Sequence, residues 1–278
     1  MACVSVYSVH LARSAPEWYA PQPISQAEQE NLANQSTQTA ADLFSYASDV
    51  AAAQRRSFLA RQAGTPVSDE AIEPKTLTLN ESQLNAFLSQ WEGFMDGRVT
   101  GSRFGGRLRA YVSDARVALR PGRLVVAGLL RNLAVLSNTV VSVEFAPRLD
   151  ERGYLWLGLS HVFSGRLPVP LAILDRPRLS IEQTLQNALP EWQIGAGVGA
   201  DGLANRDAAA AVAAKLILAA LMGRSVDAVV LIPCAVGDMR QTVPLRIAMV
   251  EIGDRHITVK LTPLAAGETR SLLQELSD

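Results

Sequence analysis

The residues able to carry chemistry are few and scattered. The three histidines are His10, His161 and His256. None has a Cys, Asp, Glu or His three or four residues further on, the spacing that sets two metal ligands on one helix face. Ser160 precedes His161, but neighbours on a strand point to opposite faces, which separates a nucleophile from its base. Asp150 and Glu151 read as turn residues, Asp238 and Asp254 as loop residues, and no carboxylate pair is set up for acid–base work. The run from Gly195 to Ala200 has the spacing of a dinucleotide-binding turn. It follows Pro190-Glu191-Trp192 rather than a strand, and the next helix begins several residues late, so it reads as a flexible loop. Cys3 and Cys234 cannot build a disulfide framework, and Cys234 sits in an apolar run where a small buried hydrophobe is expected. These residues predict a protein that is not an enzyme and holds neither metal nor cofactor.

Charge narrows the partners. The 26 Lys and Arg are balanced by 27 Asp and Glu, for a formal net charge of -1, so no cationic surplus exists to neutralise nucleic-acid phosphates. Within that balance Arg103, Arg107, Arg109, Arg116, Arg120 and Arg123 gather in one stretch. They predict either contact with anionic lipid headgroups or another polyanion, or solvated outward faces of edge strands, where charge discourages pairing with other chains. A hydrophobic share of 48% and a charged share of 19% over 278 residues fit a folded chain with a sizeable core.

The elements that must position these residues begin with an apolar start. Met1 to Ala12 runs into Arg13 and a Pro-containing stretch with Trp18 and Tyr19. Some 12 apolar residues are too few to span a bilayer, which takes roughly 20. Residues 1–22 read either as the outer half of a truncated membrane anchor, with Trp18 and Tyr19 as interfacial anchors, or as a frayed N-terminus packed loosely on the domain. Residues 23–66 read as a long helical spacer: Ser25 to Gln62 lacks Gly and Pro, and Leu43, Tyr46, Val50, Ala53 and Phe58 form a narrow stripe along its second half. Residues 67–278 read as an α+β domain.

Within that domain Thr76 to Leu79 is a short strand, and Asn80 with Gln83 forms a capping box opening a helix whose Leu84, Phe87, Leu88 and Trp91 share a face. Alternation over Leu108 to Leu119 slips near Ser113-Asp114, which predicts a bulge. Strands at Leu124 to Leu130, Thr139 to Phe145 and Tyr154 to Phe163 follow, with turns at Pro121-Gly122 and Asp150 to Gly153, giving an antiparallel meander. Helices are expected at Ser180 to Leu189 and Arg206 to Met222, and strands at Ala228 to Ile232, Leu245 to Ile252 and His256 to Leu261. The predicted architecture is a curved antiparallel sheet packed by helices, with a long N-terminal helix. Leu124, Val126, Leu155, Leu157, Leu159 and Phe163 are the expected lining of an apolar groove covered by Val169 to Leu174. The competing expectation is a filled core between sheet and helices.

The succession TLTLNESQLNAFL, then RVALRPGRLVVAGLL and the strands through GYLWLGLSHVFSGRLPVPLAIL, resembles bacterial membrane-anchored and lipoprotein families, the YpmS-like and YceB-like proteins. Their folds are similar to halves of tubular lipid-binding (TULIP-like) domains. Leu77, Thr78, Leu84, Asn85 and Leu88 carry the strand-to-helix part of the likeness, which spans roughly residues 74–192. The resemblance implies a non-catalytic domain on the extracytoplasmic face of a bacterial inner membrane, or in the periplasm. It implies a lipid or other apolar ligand, or else a scaffold that binds another envelope protein through the long helix. It makes Asn85 a buried structural amide rather than a catalyst.

Overall fold

The structure, a computed structural model, describes residues 10–19, 25–64, 72–94, 112–131, 138–174, 223, 225–236 and 239–264. The expected helices at 180–189 and 206–222, the glycine run at 195–202, Arg103, Arg107 and Arg109, and residues 1–9 lie outside them. A long helix, α1 (Gln26–Gln62), is capped by the Ser25 side chain, which accepts from the Glu28 amide. Then come β1 (Lys75–Asn80), α2 (Glu81–Phe94), β2 (Val112–Arg120), β3 (Arg123–Leu130), β4 (Thr139–Leu149), β5 (Tyr154–Ser164) and β6 (Leu167–Val169). The chain closes with β7 (Ser225–Asp227), β8 (Val229–Val236), β9 (Met239–Ile252) and β10 (His256–Pro263). The class is α+β with antiparallel pairing.

There are two sheets where the pattern predicts one. The meander forms a six-stranded sheet: five strands in order β2-β3-β4-β5-β6, with β7 also paired to β5. The second sheet has order β1-β10-β9-β8. It depends on β1 pairing with β10, Leu77 opposite Val259, across some two-thirds of the chain. Local alternation cannot reveal a partner so far away in sequence.

The segment expected as a spacer supplies the centre of the second sheet's core. Tyr46, Ala47, Val50 and Ala51 of α1 pack with Cys234, Val243, Leu245 and Leu261, and Val50 and Leu245 are fully buried. Cys234 is thus the small buried hydrophobe its apolar run implies. Leu43 joins the cluster, whereas Phe58 is 53% exposed, so the helix stripe ends before it. The Tyr46 hydroxyl donates to the Glu73 carbonyl, and burial raises the phenol above its ordinary pKa. The more polar first half also has ties to the fold. Leu32 is buried, and Gln35 accepts from the Gln83 side chain of α2.

The start of the described chain is docked on the six-stranded sheet. Tyr19 is buried against Ala127 and Val140 with Trp18 beside it, and its hydroxyl donates to the Asp114 carbonyl. Tyr19 is thus packed on protein, its hydroxyl reaching a carbonyl that the β2 bulge presents, and Trp18 is partly buried beside it. At the other side, the Arg166 amide donates to the Leu11 carbonyl. Gly165 lies so close that an added Cβ would collide with the carbonyl oxygens of Leu11, Ala12 and Ser14. No described helix is long and apolar enough to cross a membrane.

Candidate functional site

The junction between the sheets is built by α2. Asn80 accepts from the Gln83 amide at 2.7 Å, and Gln83 returns an acceptor to the Asn80 amide at 2.9 Å, a closed capping box. That cap starts the helix with Glu81 and Asn85 one turn apart, on the same face. The face meets the open edge of β2. The Asn85 side chain donates to the Val117 carbonyl at 2.8 Å and accepts from its amide at 2.7 Å, as a neighbouring strand would. Glu81 accepts from the Leu119 amide, while the Leu119 carbonyl accepts from the Arg255 amide. Every backbone group that Val117 and Leu119 turn outward therefore has a partner, and this stretch of the edge is closed to other chains. Leu84 and Leu88 pack beneath, against Val117, Leu119, Leu124, Val126, Ile252 and Ile257.

Register assigns the expected groove residues to faces. Leu124 lies opposite Phe145, which lies opposite Leu159, so these share a side, and Val126, Leu157 and Leu155 follow on the same side by alternation. Leu124 and Val126 are packed into the α2 cluster, and Leu155 is 8% exposed. Phe163 is on the other side. Glu144 pairs with His161 and the next residue, Phe145, with Leu159, so Ser160 is an extra residue and the later part of β5 is flipped. The six-residue lining is thus five plus one. The expected cover divides too: Val169 belongs to β6 as a sheet strand, and Leu171 is exposed.

That flip brings a set of ionisable groups together around one buried acid. Ala118, Val125, Glu144 and His161 stand in one cross-strand row on the face away from α2, with Arg120 and Arg123 at the end of the β2–β3 hairpin beside them. Glu144 is buried, its side chain 7% exposed. One of its oxygens takes Arg123 at 3.1 Å and His161 Nδ1 at 3.2 Å, and the other lies 3.9 Å from Arg120. The three partners are each about half exposed, so the carboxylate is desolvated while the two guanidiniums and the imidazole face water. His161 also stacks on Phe163, ring centroids 6.0 Å apart. Sequence reasoning placed Arg120, Arg123 and His161 on strands but missed Glu144. A lone acid at an inward position of an otherwise apolar strand is the signal that would have found it. At Ser160 the bulge also removes the alternation argument that set it apart from His161. His161 Nδ1 is nevertheless engaged by Glu144.

His256 opens β10 opposite Asn80, its ring nitrogen 3.0 Å from the Asp254 carbonyl in the preceding turn. A polar cavity of about 210 Å³ sits where the β4–β5 turn meets β9, lined by Asp150, Arg152, Gly153 and Arg246 among others. Asp150 there accepts from the Arg152 and Tyr154 amides, which is turn chemistry. Among the described residues no three His, Cys, Asp or Glu side chains are grouped to hold a metal. Comparison with protein families, curated proteins and solved structures finds no match to this chain.

Proposed function

We propose that this is a non-catalytic domain held beside a membrane by its apolar N-terminal segment, on the extracytoplasmic side of a bacterial inner membrane. It works through its surface as an envelope scaffold rather than by enclosing a lipid. The observation that supports this is the packing of Leu124 and Val126 into the cluster of Leu84, Leu88 and Ile252, together with the placing of Phe163 on the opposite face. A groove needs its lining on one side and unfilled, and here the residues nominated for it are divided or packed. The saturation of Glu144 by two arginines and a histidine supports a non-catalytic reading, since each carboxylate oxygen already faces a cation.

Leu157 and Leu159 are only half buried, which keeps a narrower lipid-holding reading in play on the β4–β5 half of the sheet. Native mass spectrometry of the full chain purified from membranes in mild detergent separates the two. The scaffold reading expects a lipid-free mass, and a stoichiometric acyl lipid overturns it. Membrane fractionation with a high-salt wash tests the tether: the chain is expected to stay in the pellet, and release into the supernatant argues against it.

A further inference from the structure

The face of the six-stranded sheet that carries Glu144 continues into a region whose side chains are exposed among the described residues. Beyond the Glu144 row, register places Ala146 beside Gly158, then Arg148 beside Trp156, then Tyr154. Trp156 and Tyr154 are each 42% exposed, and Arg148 is exposed. With the half-exposed Arg120, Arg123 and His161, this makes a strip of guanidinium groups and amphipathic rings around two small residues. Of its acids within the meander, Glu144 is buried and already held by Arg123, and Asp150, opposite Tyr154 at the turn, accepts from the Arg152 and Tyr154 amides. Asp227, in register with Tyr154, is an exposed acid at the strip's outer end. The chain's start docks on the same side, because Tyr19 packs on Ala127 and Val140 of that face. The docked Glu17–Tyr19 stretch and the basic, aromatic strip therefore lie on the same face of the sheet.

The geometry points to this strip as a docking surface for an anionic phospholipid bilayer. Arg120, Arg123 and Arg148 would meet headgroup phosphates, and Trp156 and Tyr154 would sit at headgroup depth, where such rings are favoured. This rests on the membrane-side reading above and adds the orientation: the Glu144 face is turned to the lipid, and α2 and the second sheet away from it. Charge complementarity selects the occupant, since three exposed guanidiniums on a chain of net charge -1 form a local excess.

The test is co-sedimentation of the full chain with phosphatidylcholine vesicles, and with vesicles that also contain phosphatidylglycerol. Binding is expected only to the anionic vesicles, and is expected to fade as salt approaches about 1 M, where the screening length is about 3 Å. Arg120→Gln and Arg148→Gln are each expected to weaken it roughly 5-fold. Arg123 is left in place because it holds Glu144. Trp156→Ala is expected to weaken binding further and to remove a blue shift of tryptophan emission on vesicle addition. Equal binding to both vesicles, or binding indifferent to all three substitutions in variants that melt normally, overturns the proposal. So does binding to a soluble polyanion with vesicles ignored. If the chain stays in membrane pellets while these variants bind vesicles normally, the docking surface falls and the tether stands. If the chain leaves the pellet while the strip still binds vesicles, the tether falls instead.

Discussion

The two faces of the six-stranded sheet are made from alternate residues of the same strands, yet they do different things. On the face toward α2, Val117, Leu119, Leu124 and Val126 meet Leu84, Leu88 and Ile252, and backbone groups at the edge are matched by Asn85 and Glu81. On the other face the same strands carry Ala118, Val125, Glu144, His161 and a rim of arginines, with Trp156 and Tyr154 left in water. On the first face Val117, Leu119 and Leu155 are buried, and Leu124, Val126, Leu157 and Leu159 are half buried. On the second, Ala118, Val125, Ala127, Val140, Ser142 and Glu144 are buried, while Arg120, Arg123, Arg148, Trp156 and Tyr154 remain exposed toward one end. The contrast teaches that a single period-two pattern can bury residues on both faces of a sheet and leave one end of one face open for contact.

Substitutions sharpen that contrast in a graded order. Leu119→Ala, at 2% exposure beneath α2, is expected to cost about 3 kcal/mol in urea denaturation. A cost under about 1 kcal/mol would show the α2 face to be loosely filled and would reopen the groove. Asn85→Ala leaves the Val117 amide and carbonyl without their side-chain partner, and a loss of about 2 kcal/mol is expected. Hydrogen exchange at the Val117 amide should rise with it, which a mere packing defect would not produce.

On the opposite face, Glu144→Gln removes the buried charge while keeping its shape, with an expected cost of about 1 kcal/mol, reduced because the arginines are half solvated. A gain in stability would show that the charge is kept for something other than folding. Trp156→Ala is expected to stay within about 0.5 kcal/mol of the parent, and a larger loss would mean that this face is covered and not free. A pH experiment reports on neither face and so serves as a control. The Tyr46 phenol is raised by burial in the other sheet, so its contribution is present below the unfolded value of about 10 and is lost as pH climbs past it. Tyr46→Phe should flatten that alkaline loss and leave both faces unchanged.

Much of the fold was legible in the residues themselves. The capping box at Asn80 and Gln83, the turns at Pro121-Gly122 and Asp150 to Gly153, and the slip near Ser113-Asp114 all follow from short-range sterics and hydrogen bonding, which neighbouring residues decide. The last appears as a register shift with Asp114 in the left-handed region. Alternation likewise marks out the meander, because a half-buried strand must repeat every two residues. Tertiary structure alone decided that β1 pairs with β10, that Asn85 completes the edge of β2, that Tyr19 lies on the sheet, and which residues surround Glu144. All four join positions far apart in sequence, where register sets the contact and one extra residue, as at Ser160, moves everything after it to the other face.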